Sequence, residues 1–141
     1  MIDCLAKLHC RYAAIGGLYD TGETPTECAG RELLEETGLV SADMIYLGAY
    51  RVQVNRGGGM LHAFYARNCE ESMAAGRGKG KQGNPNDYEE QSVRLLSRQE
   101  LLDIVVKEKG IGEAQWLATI STALLYDVHS DASVGEKEKV S

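Results

Sequence analysis

Hydrophobic and polar positions predict four strand segments in this 141-residue chain. Residues 44–54 (MIYLGAYRVQV) and 60–66 (MLHAFYA) are rich in β-branched and aromatic side chains, which favour strands. Because only a short glycine-rich stretch separates them, we expect these two strands to pair. Residues 11–15 (RYAAI) read as the end of a strand, and residues 91–96 (QSVRLL) give the fourth signal.

A helix is predicted to begin directly after a glycine-studded loop. Thr24 can cap it, Pro25 suits its first position, and Glu27 completes a capping box with Thr24. The helix is expected to run to about Thr37 and to stop at Gly38.

Two more helices are predicted in the second half of the chain. Ser97 and Glu100 form another capping box, which opens a helix that runs to about Lys107. A last helix covers residues 113 to about 128, where apolar residues form a stripe. We expect residues 1–128 to form one domain and residues 129–141 to be a disordered polar tail.

Composition and charge narrow the range of partners. The net charge is -6, so the chain lacks the overall positive charge that would suggest a nucleic-acid partner. It also lacks an apolar stretch long enough to span a bilayer. The N-terminus is a poor signal peptide, so the four cysteines are expected to be reduced thiols in a cytoplasmic protein. Zinc binding by Cys4, His9 and Cys10 is an alternative that their spacing disfavours.

The first predicted helix carries an unusual concentration of carboxylates. Glu32, Glu35 and Glu36 share one face, Glu23 lies just before the helix, and Arg31 can offset part of the charge. A solvated acidic face is the ordinary interpretation. Such faces usually include lysines, however, and this helix has none. A hard divalent cation requires several carboxylate oxygens, so the cluster favours a metal site.

The same stretch resembles the Nudix box in full. That motif is Gly, five residues, Glu, seven residues, then Arg-Glu-aliphatic-any-Glu-Glu-any-Gly-aliphatic. Its defined positions fall on Gly17, Glu23, Arg31, Glu32, Leu33, Glu35, Glu36, Gly38 and Leu39. The resemblance implies a Nudix α/β/α sandwich with a mixed central sheet. Since 16 residues precede the motif, the N-terminal strands are expected to be truncated.

The resemblance also implies a reaction: metal-dependent hydrolysis of the diphosphate linkage in a nucleoside diphosphate derivative. It assigns Mg²⁺ or Mn²⁺ to Glu32, Glu35, Glu36 and the carbonyl of Gly16. It also gives Glu35 and Glu36 a catalytic role. The structural positions of the motif are Gly17, Glu23, Arg31 and Gly38.

The order of segments after the motif resembles the branch that hydrolyses ADP-ribose and nucleotide sugars. This implies a nucleoside monophosphate and a sugar phosphate as products. A loop glutamate that helps to activate water in that branch corresponds to Glu89 or Glu90, although both can equally be ordinary loop acids. The alternatives are another diphosphate (an oxidised nucleoside triphosphate, a dinucleotide or a coenzyme) or a weak or inactive nucleotide-binding scaffold.

Arginines and aromatic residues outside the motif are candidates for substrate contacts. Arg51 and Arg56 could bind phosphate, because guanidinium forks match phosphate oxygens, although Arg51 can equally be a surface strand residue. His62 and Trp116 are expected to be structural. Four tyrosines are available to stack on adenine, and the sequence singles out none: Tyr19, Tyr46, Tyr50 and Tyr65.

The expected partner is therefore a small nucleoside diphosphate derivative. Missing N-terminal strands would leave unpaired sheet edges, which invite pairing with another chain. A homodimer is the expected assembly on that ground.

Overall fold

The computed structural model describes residues 3–8, 11–52, 58–73 and 92–138. Their mixture of strands and helices confirms the α/β class. In chain order the elements are β1 (Asp3–Leu8), β2 (Arg11–Ala13), α1 (Pro25–Thr37), β3 (Leu39–Val40), β4 (Asp43–Arg51), β5 (Met60–Arg67), β6 (Glu70–Glu71), β7 (Ser92–Leu96), α2 (Arg98–Asp103), a π-helical turn (Ile104–Glu108) and α3 (Ala114–Glu138).

The strands form three small antiparallel groups. β1 lies between β2 and β7, β3 pairs with β6, and β4 pairs with β5 as predicted. Within the described ranges, the parallel pairing is an isolated bridge between Tyr12 and Ile111. In the described part of the chain, parallel pairing is thus limited to that bridge, and the mixed sheet that the resemblance implies stays a prediction.

The expectation that the N-terminal strands are missing is wrong for the residues before Gly16. This segment contains β1 and β2, and β1 pairs with β7 from Asp3↔Leu96 to Lys7↔Ser92. The sequence obscured β1 because its central residues include alanine and lysine, which are weak strand formers. Its partner β7 is distant in sequence, so no local sequence pattern indicates the strand.

Helix α1 begins and ends where its local sequence predicts. The Thr24 side chain accepts a hydrogen bond from the Glu27 backbone N–H, and the Glu27 carboxylate accepts one from the Thr24 N–H at 2.8 Å. Gly38 has a φ of 74°, a left-handed conformation that suits glycine, and its N–H donates to the Leu34 carbonyl. Both predicted boundaries of this helix are confirmed.

The main apolar core lies in the second half of the chain. Five residues that are each less than 8% exposed pack together, and Trp116 packs against them as predicted. The buried residues are Leu96, Leu101, Ile104, Ile120 and Leu124. They come from β7, α2, the π-helical turn and α3, so this core joins the last four elements that the structure describes.

The predicted disordered tail is wrong for residues 129–138, which continue α3. In this extension, Asp131 Oδ2 lies 3.3 Å from Arg98 Nη1. Residues 136–138 (EKE) also have high helix propensity. No helix in the described part of the chain is long and apolar enough to cross a membrane.

The β4–β5 ribbon presents two different faces. Tyr46 lies opposite Phe64, Ala49 opposite His62, and Tyr50 opposite Leu61, with a bulge between Tyr46 and Gly48. Paired residues point to the same face and successive residues alternate. His62 and Phe64 therefore share a face with Tyr46, while Tyr50 lies on the opposite face.

That opposite face packs on α3. Ala63 and Tyr65 are buried there, and the Tyr65 hydroxyl donates to the buried carboxylate of Asp127 at 3.1 Å. Helix α1 also contacts β5. The ribbon thus lies between the acidic helix and the closing helix, with one side anchored by α3.

Candidate active site

The site is built from the loop that follows β2 and from the C-terminal half of α1. Gly17 lies directly against the Glu32 side chain: a Cβ placed on Gly17 would lie 2.0 Å from Glu32 Oε1. Gly17 is therefore required by close approach, because any larger residue would displace the Glu32 carboxylate. Gly16, in contrast, has open space around its Cα.

Arg31 connects the loop to the helix. Its Nε donates to Glu23 Oε1 at 2.8 Å, its Nη1 to Glu32 Oε1 at 2.6 Å, and its Nη2 to the Leu18 carbonyl at 3.0 Å. Arg31 Nη1 also lies 3.4 Å from Glu35 Oε2. One guanidinium thus fixes the loop and two glutamates, a geometry that requires the planar fork of arginine. The predicted structural role of Arg31 has a physical basis in these contacts.

Glu23 folds back onto this guanidinium. Its side chain is 12% exposed, and Oε2 also accepts a hydrogen bond from the Asp20 N–H at 2.9 Å. The bond from Arg31 is the largest cause that lowers the pKa of Glu23 to about 2. The same pair raises the pKa of Arg31. Glu23 is therefore a permanent anion that balances Arg31.

Glu36 has a different electrostatic environment. Burial is the largest cause that raises its pKa to about 7, and the charges of Glu32 and Glu35 add to the rise. Arg31, the cation of the motif, contacts Glu32 and Glu35, which are the neighbours of Glu36 on the helix. The carboxyl of Glu36 lies in a cluster with an excess of negative charge.

A cleft of about 1330 Å³ opens beside this cluster. Gly16, Gly17, Glu32 and Glu36 line one part of it. Elsewhere the lining is largely apolar and comes from β5 and α3, including Trp116. The cleft is large enough for a nucleotide-sized ligand and brings carboxylates to one part of an otherwise apolar wall.

The donor set fits a hard divalent cation. Glu32 and Glu36 face one cleft next to the Gly16 backbone, and Arg31 makes its ion pairs with Glu32 and Glu35, the neighbours of Glu36. Among the described residues, however, no group of three or more His, Cys, Asp or Glu side chains is arranged around a common point. The Glu32 carboxylate is turned to Arg31 and Glu35 is near it, so both must rotate to join Glu36.

The remaining predicted residues are less well placed. Arg51 is exposed at the end of β4 and does not line the cleft, so its phosphate contact stays a prediction. Five predicted residues lie outside the described ranges: His9, Cys10, Arg56, Glu89 and Glu90. Cys28 and Cys69 are free thiols, as expected for them.

An aromatic patch next to the acids was not identified from the sequence. We define it as Tyr19, Tyr46, His62 and Phe64. The His62 ring lies 5.9 Å from Tyr19 and 6.0 Å from Tyr46, and Phe64 lies 5.2 Å from Tyr46, between ring centroids. The Tyr46 hydroxyl is 3.2 Å from His62 Nδ1. Only strand register brings Tyr46 to His62, so no local signal marks the patch.

The site combines the glycines of the loop, the central Arg31 and three glutamates of α1. Comparison with known proteins agrees with this arrangement. The NUDIX domain model matches residues 6–119, most of the chain. The chain therefore belongs to the Nudix family, the hydrolases of nucleoside diphosphate derivatives, which generally use divalent metals such as Mg²⁺.

One curated relative matches a short segment. The NAD-capped RNA hydrolase NudC of Vibrio cholerae serotype O1 (strain ATCC 39315 / El Tor Inaba N16961) is 45% identical over 38 residues. This match covers 27% of the chain and 14% of the Vibrio protein. It therefore supports a local similarity to a Nudix hydrolase.

Proposed function

We propose that this chain hydrolyses the diphosphate linkage of ADP-ribose or a nucleotide sugar and releases a nucleoside monophosphate and a sugar phosphate. The observation that carries the proposal is the placement of Glu32 and Glu36 in one cleft beside Gly16 and Gly17, with Arg31 fixing the loop. Mg²⁺ or Mn²⁺ would be held by Glu32, Glu35 and Glu36 with the Gly16 carbonyl. When bound, the metal neutralises phosphate charge and lowers the pKa of water.

The residues of the chain have separate tasks in this reaction. Arg31 and Glu23 hold the loop against α1, so the backbone at Gly16 stays next to the acids. Gly17 leaves space for the Glu32 carboxylate. Glu36, half-buried and short of countercharge, is the carboxylate best suited to bind a cation or accept a proton from water. Glu89 or Glu90 is proposed as a further acid from the long loop.

A dinucleotide is the second candidate substrate. The local similarity to the Vibrio protein, whose name states that it acts on NAD-capped RNA, favours NAD or an NAD-capped end. NAD contains a diphosphate between two nucleosides, so the same acids would serve it. A capped RNA would require a nucleic-acid surface, which the net charge of -6 does not favour.

The test is whether purified protein releases the nucleoside monophosphate from ADP-ribose, from a nucleotide sugar or from NAD, each assayed in parallel. Each substrate is incubated with Mg²⁺, with Mn²⁺ and with a chelator. We expect metal-dependent release, with ADP-ribose or the nucleotide sugar turned over faster than NAD. A preference for NAD would replace the first candidate by the second.

Glu36→Gln is the variant that examines the site itself. The substitution keeps the shape of the side chain but removes a charged ligand, so turnover should fall at least about 100-fold, the upper range for groups that merely support metal ligands. Glu108→Gln is the matched control, because Glu108 is exposed outside the cleft. Full turnover by Glu36→Gln, or no metal-dependent turnover of any substrate by the folded wild-type protein, would contradict the proposal.

A further inference from the structure

The aromatic patch is more exposed than a packing role requires. Tyr19 is 44% exposed and Tyr46 is 53% exposed, although both have aromatic neighbours. Aromatic side chains that serve only packing gain most by full burial. Three rings of the patch, those of Tyr19, His62 and Phe64, line the cleft, and Tyr46 contacts two of them from beside it. Exposed rings at a cleft are a common feature of ligand sites.

The patch is continuous with the acidic site. Tyr19 and His62 line the same cleft as Glu32 and Glu36. Tyr19 also follows Gly17 by two residues, and Gly17 lies against the Glu32 carboxylate. Two residues span at most about 7 Å, so the Cα of Tyr19 lies within that distance of Gly17. Burial raises the pKa of Tyr19, and nearby Cys28, Tyr46 and Glu23 add to the rise, which agrees with this position.

We propose that the aromatic patch holds the nucleobase of the substrate by stacking on Tyr19 and Tyr46. The inference rests on the proposed function in one respect: it takes the substrate to be a nucleotide derivative. Stacking on an aromatic ring tolerates any base, because every base has a π-face. The patch therefore distinguishes substrates that carry a base from those that do not, and does not select one base.

The structure also separates the four tyrosines that the sequence left equal. Tyr65 is buried and its hydroxyl is bound to Asp127, so it faces the core. Tyr50 is 45% exposed, but it lies on the opposite face of the ribbon and its hydroxyl donates to the Leu47 carbonyl. Tyr50 therefore matches Tyr19 and Tyr46 in residue type and exposure while lying outside the patch.

The experiment compares AMP with ribose 5-phosphate, which lacks the base. Binding of each to the full chain is measured by isothermal titration calorimetry in the presence of Mg²⁺. The variants are Tyr19→Leu, Tyr46→Leu, Tyr46→Phe and the control Tyr50→Leu. Each leucine variant in the patch should bind AMP at least about fivefold more weakly, the lower end for loss of one base–aromatic stack, with ribose 5-phosphate unaffected.

Two further results complete the expectation. Tyr46→Phe keeps the ring and should bind AMP as the wild type does, and Tyr50→Leu should leave both ligands unchanged. The proposal is overturned if wild-type protein binds AMP no more tightly than ribose 5-phosphate. It is also overturned if neither leucine substitution in the patch weakens AMP binding, or if Tyr50→Leu weakens it equally.

These outcomes are independent of the test for hydrolysis. If ADP-ribose is hydrolysed but the patch variants bind AMP normally, the base site is wrong and the enzyme assignment stands. If AMP binding follows the predicted pattern but no diphosphate is hydrolysed, the base site stands and the proposed reaction is wrong.

Discussion

Two regions of the molecule are held together by different forces. Residues 16–38, the loop and helix of the motif, bury only Cys28 and Leu33 in α1 and depend on a network of charges around Arg31. Residues 92–138 depend instead on an apolar cluster contributed by β7, α2, the π-helical turn and α3. The acidic region contains the candidate chemistry, and the apolar region contains the main cluster of buried hydrophobic residues.

This difference explains how a small chain can tolerate the clustered carboxylates of α1. Like charges on one helix face repel, and repulsion weakens the helix that carries them. Here the repulsion is reduced by Arg31, and the apolar cluster that stabilises the chain lies elsewhere. Substitutions should therefore separate into those that change stability and those that change activity, depending on the region.

The largest effect on stability is expected in the apolar region. Leu101 is 3% exposed and packs among Ile104, Ile120 and Leu124. Leu101→Ala should lower the free energy of unfolding by about 2–5 kcal/mol, because it removes buried methyl groups and leaves a cavity. Urea unfolding followed by circular dichroism measures the loss.

Leu125→Ala is the control for this prediction, since Leu125 lies on α3 next to Leu124 of the cluster but is 68% exposed. It should change stability very little. An equal loss of stability in both variants would mean that the cluster around Leu101 is not the core.

The largest effect in the acidic region, apart from the loss of a metal ligand, is expected at Arg31. Lysine keeps the charge but cannot contact Glu23, Glu32 and the Leu18 carbonyl together. Arg31→Lys should reduce turnover about 10- to 100-fold, the range seen when groups that orient metal ligands are lost. Steady-state kinetics at several Mg²⁺ concentrations measure this effect, which higher Mg²⁺ should partly reverse.

Arg98→Lys provides the comparison from the other region. Arg98 makes an exposed ion pair with Asp131 at 3.3 Å, and such pairs contribute little. Its turnover and melting temperature should stay close to the wild-type values. If Arg31→Lys behaved in the same way, Arg31 would be one more surface ion pair.

Gly17→Ala should have a smaller effect of a distinctive kind. The added Cβ would collide with the end of the Glu32 side chain, which can rotate away, so the fold should survive. The displaced carboxylate should weaken metal binding and turnover by about tenfold. Gly30→Ala is the control, because nothing lies within 4 Å of its Cβ position, and it should preserve activity with a slight gain in stability. Unchanged activity in Gly17→Ala would remove Glu32 from the site.

The sequence predicted the acidic region better than the apolar one, for a physical reason. Helix α1 is specified by neighbours in sequence: Thr24 and Glu27 begin it, and Gly38 ends it. The motif residues act at short range, so their spacing was sufficient to bring Glu23 onto Arg31. Elements that depend on nearby residues are accessible from sequence alone.

Long-range pairing was not accessible in the same way. Strand β1 is stabilised by β7 from the other end of the chain, and the aromatic patch forms because register places Tyr46 beside His62 and the loop brings Tyr19. Each failure concerns a contact between residues far apart in sequence.

The smallest predicted effect is a pH dependence of stability due to Glu23. The bond from Arg31 lowers the pKa of Glu23 to about 2, from an ordinary value of 4.5 in the unfolded chain. Because the folded pKa is the lower one, the charged carboxylate stabilises the fold above pH 4.5, and this contribution is lost as the pH falls towards 2. Melting temperatures of wild type and Glu23→Gln, measured between pH 7 and pH 2, should therefore differ most at neutral pH and converge in acid. Glu113→Gln, a change of an exposed glutamate just before α3, controls for the general effect of removing one charge. A constant difference between wild type and Glu23→Gln at every pH would show that the Glu23–Arg31 pair contributes packing and no ionic stabilisation.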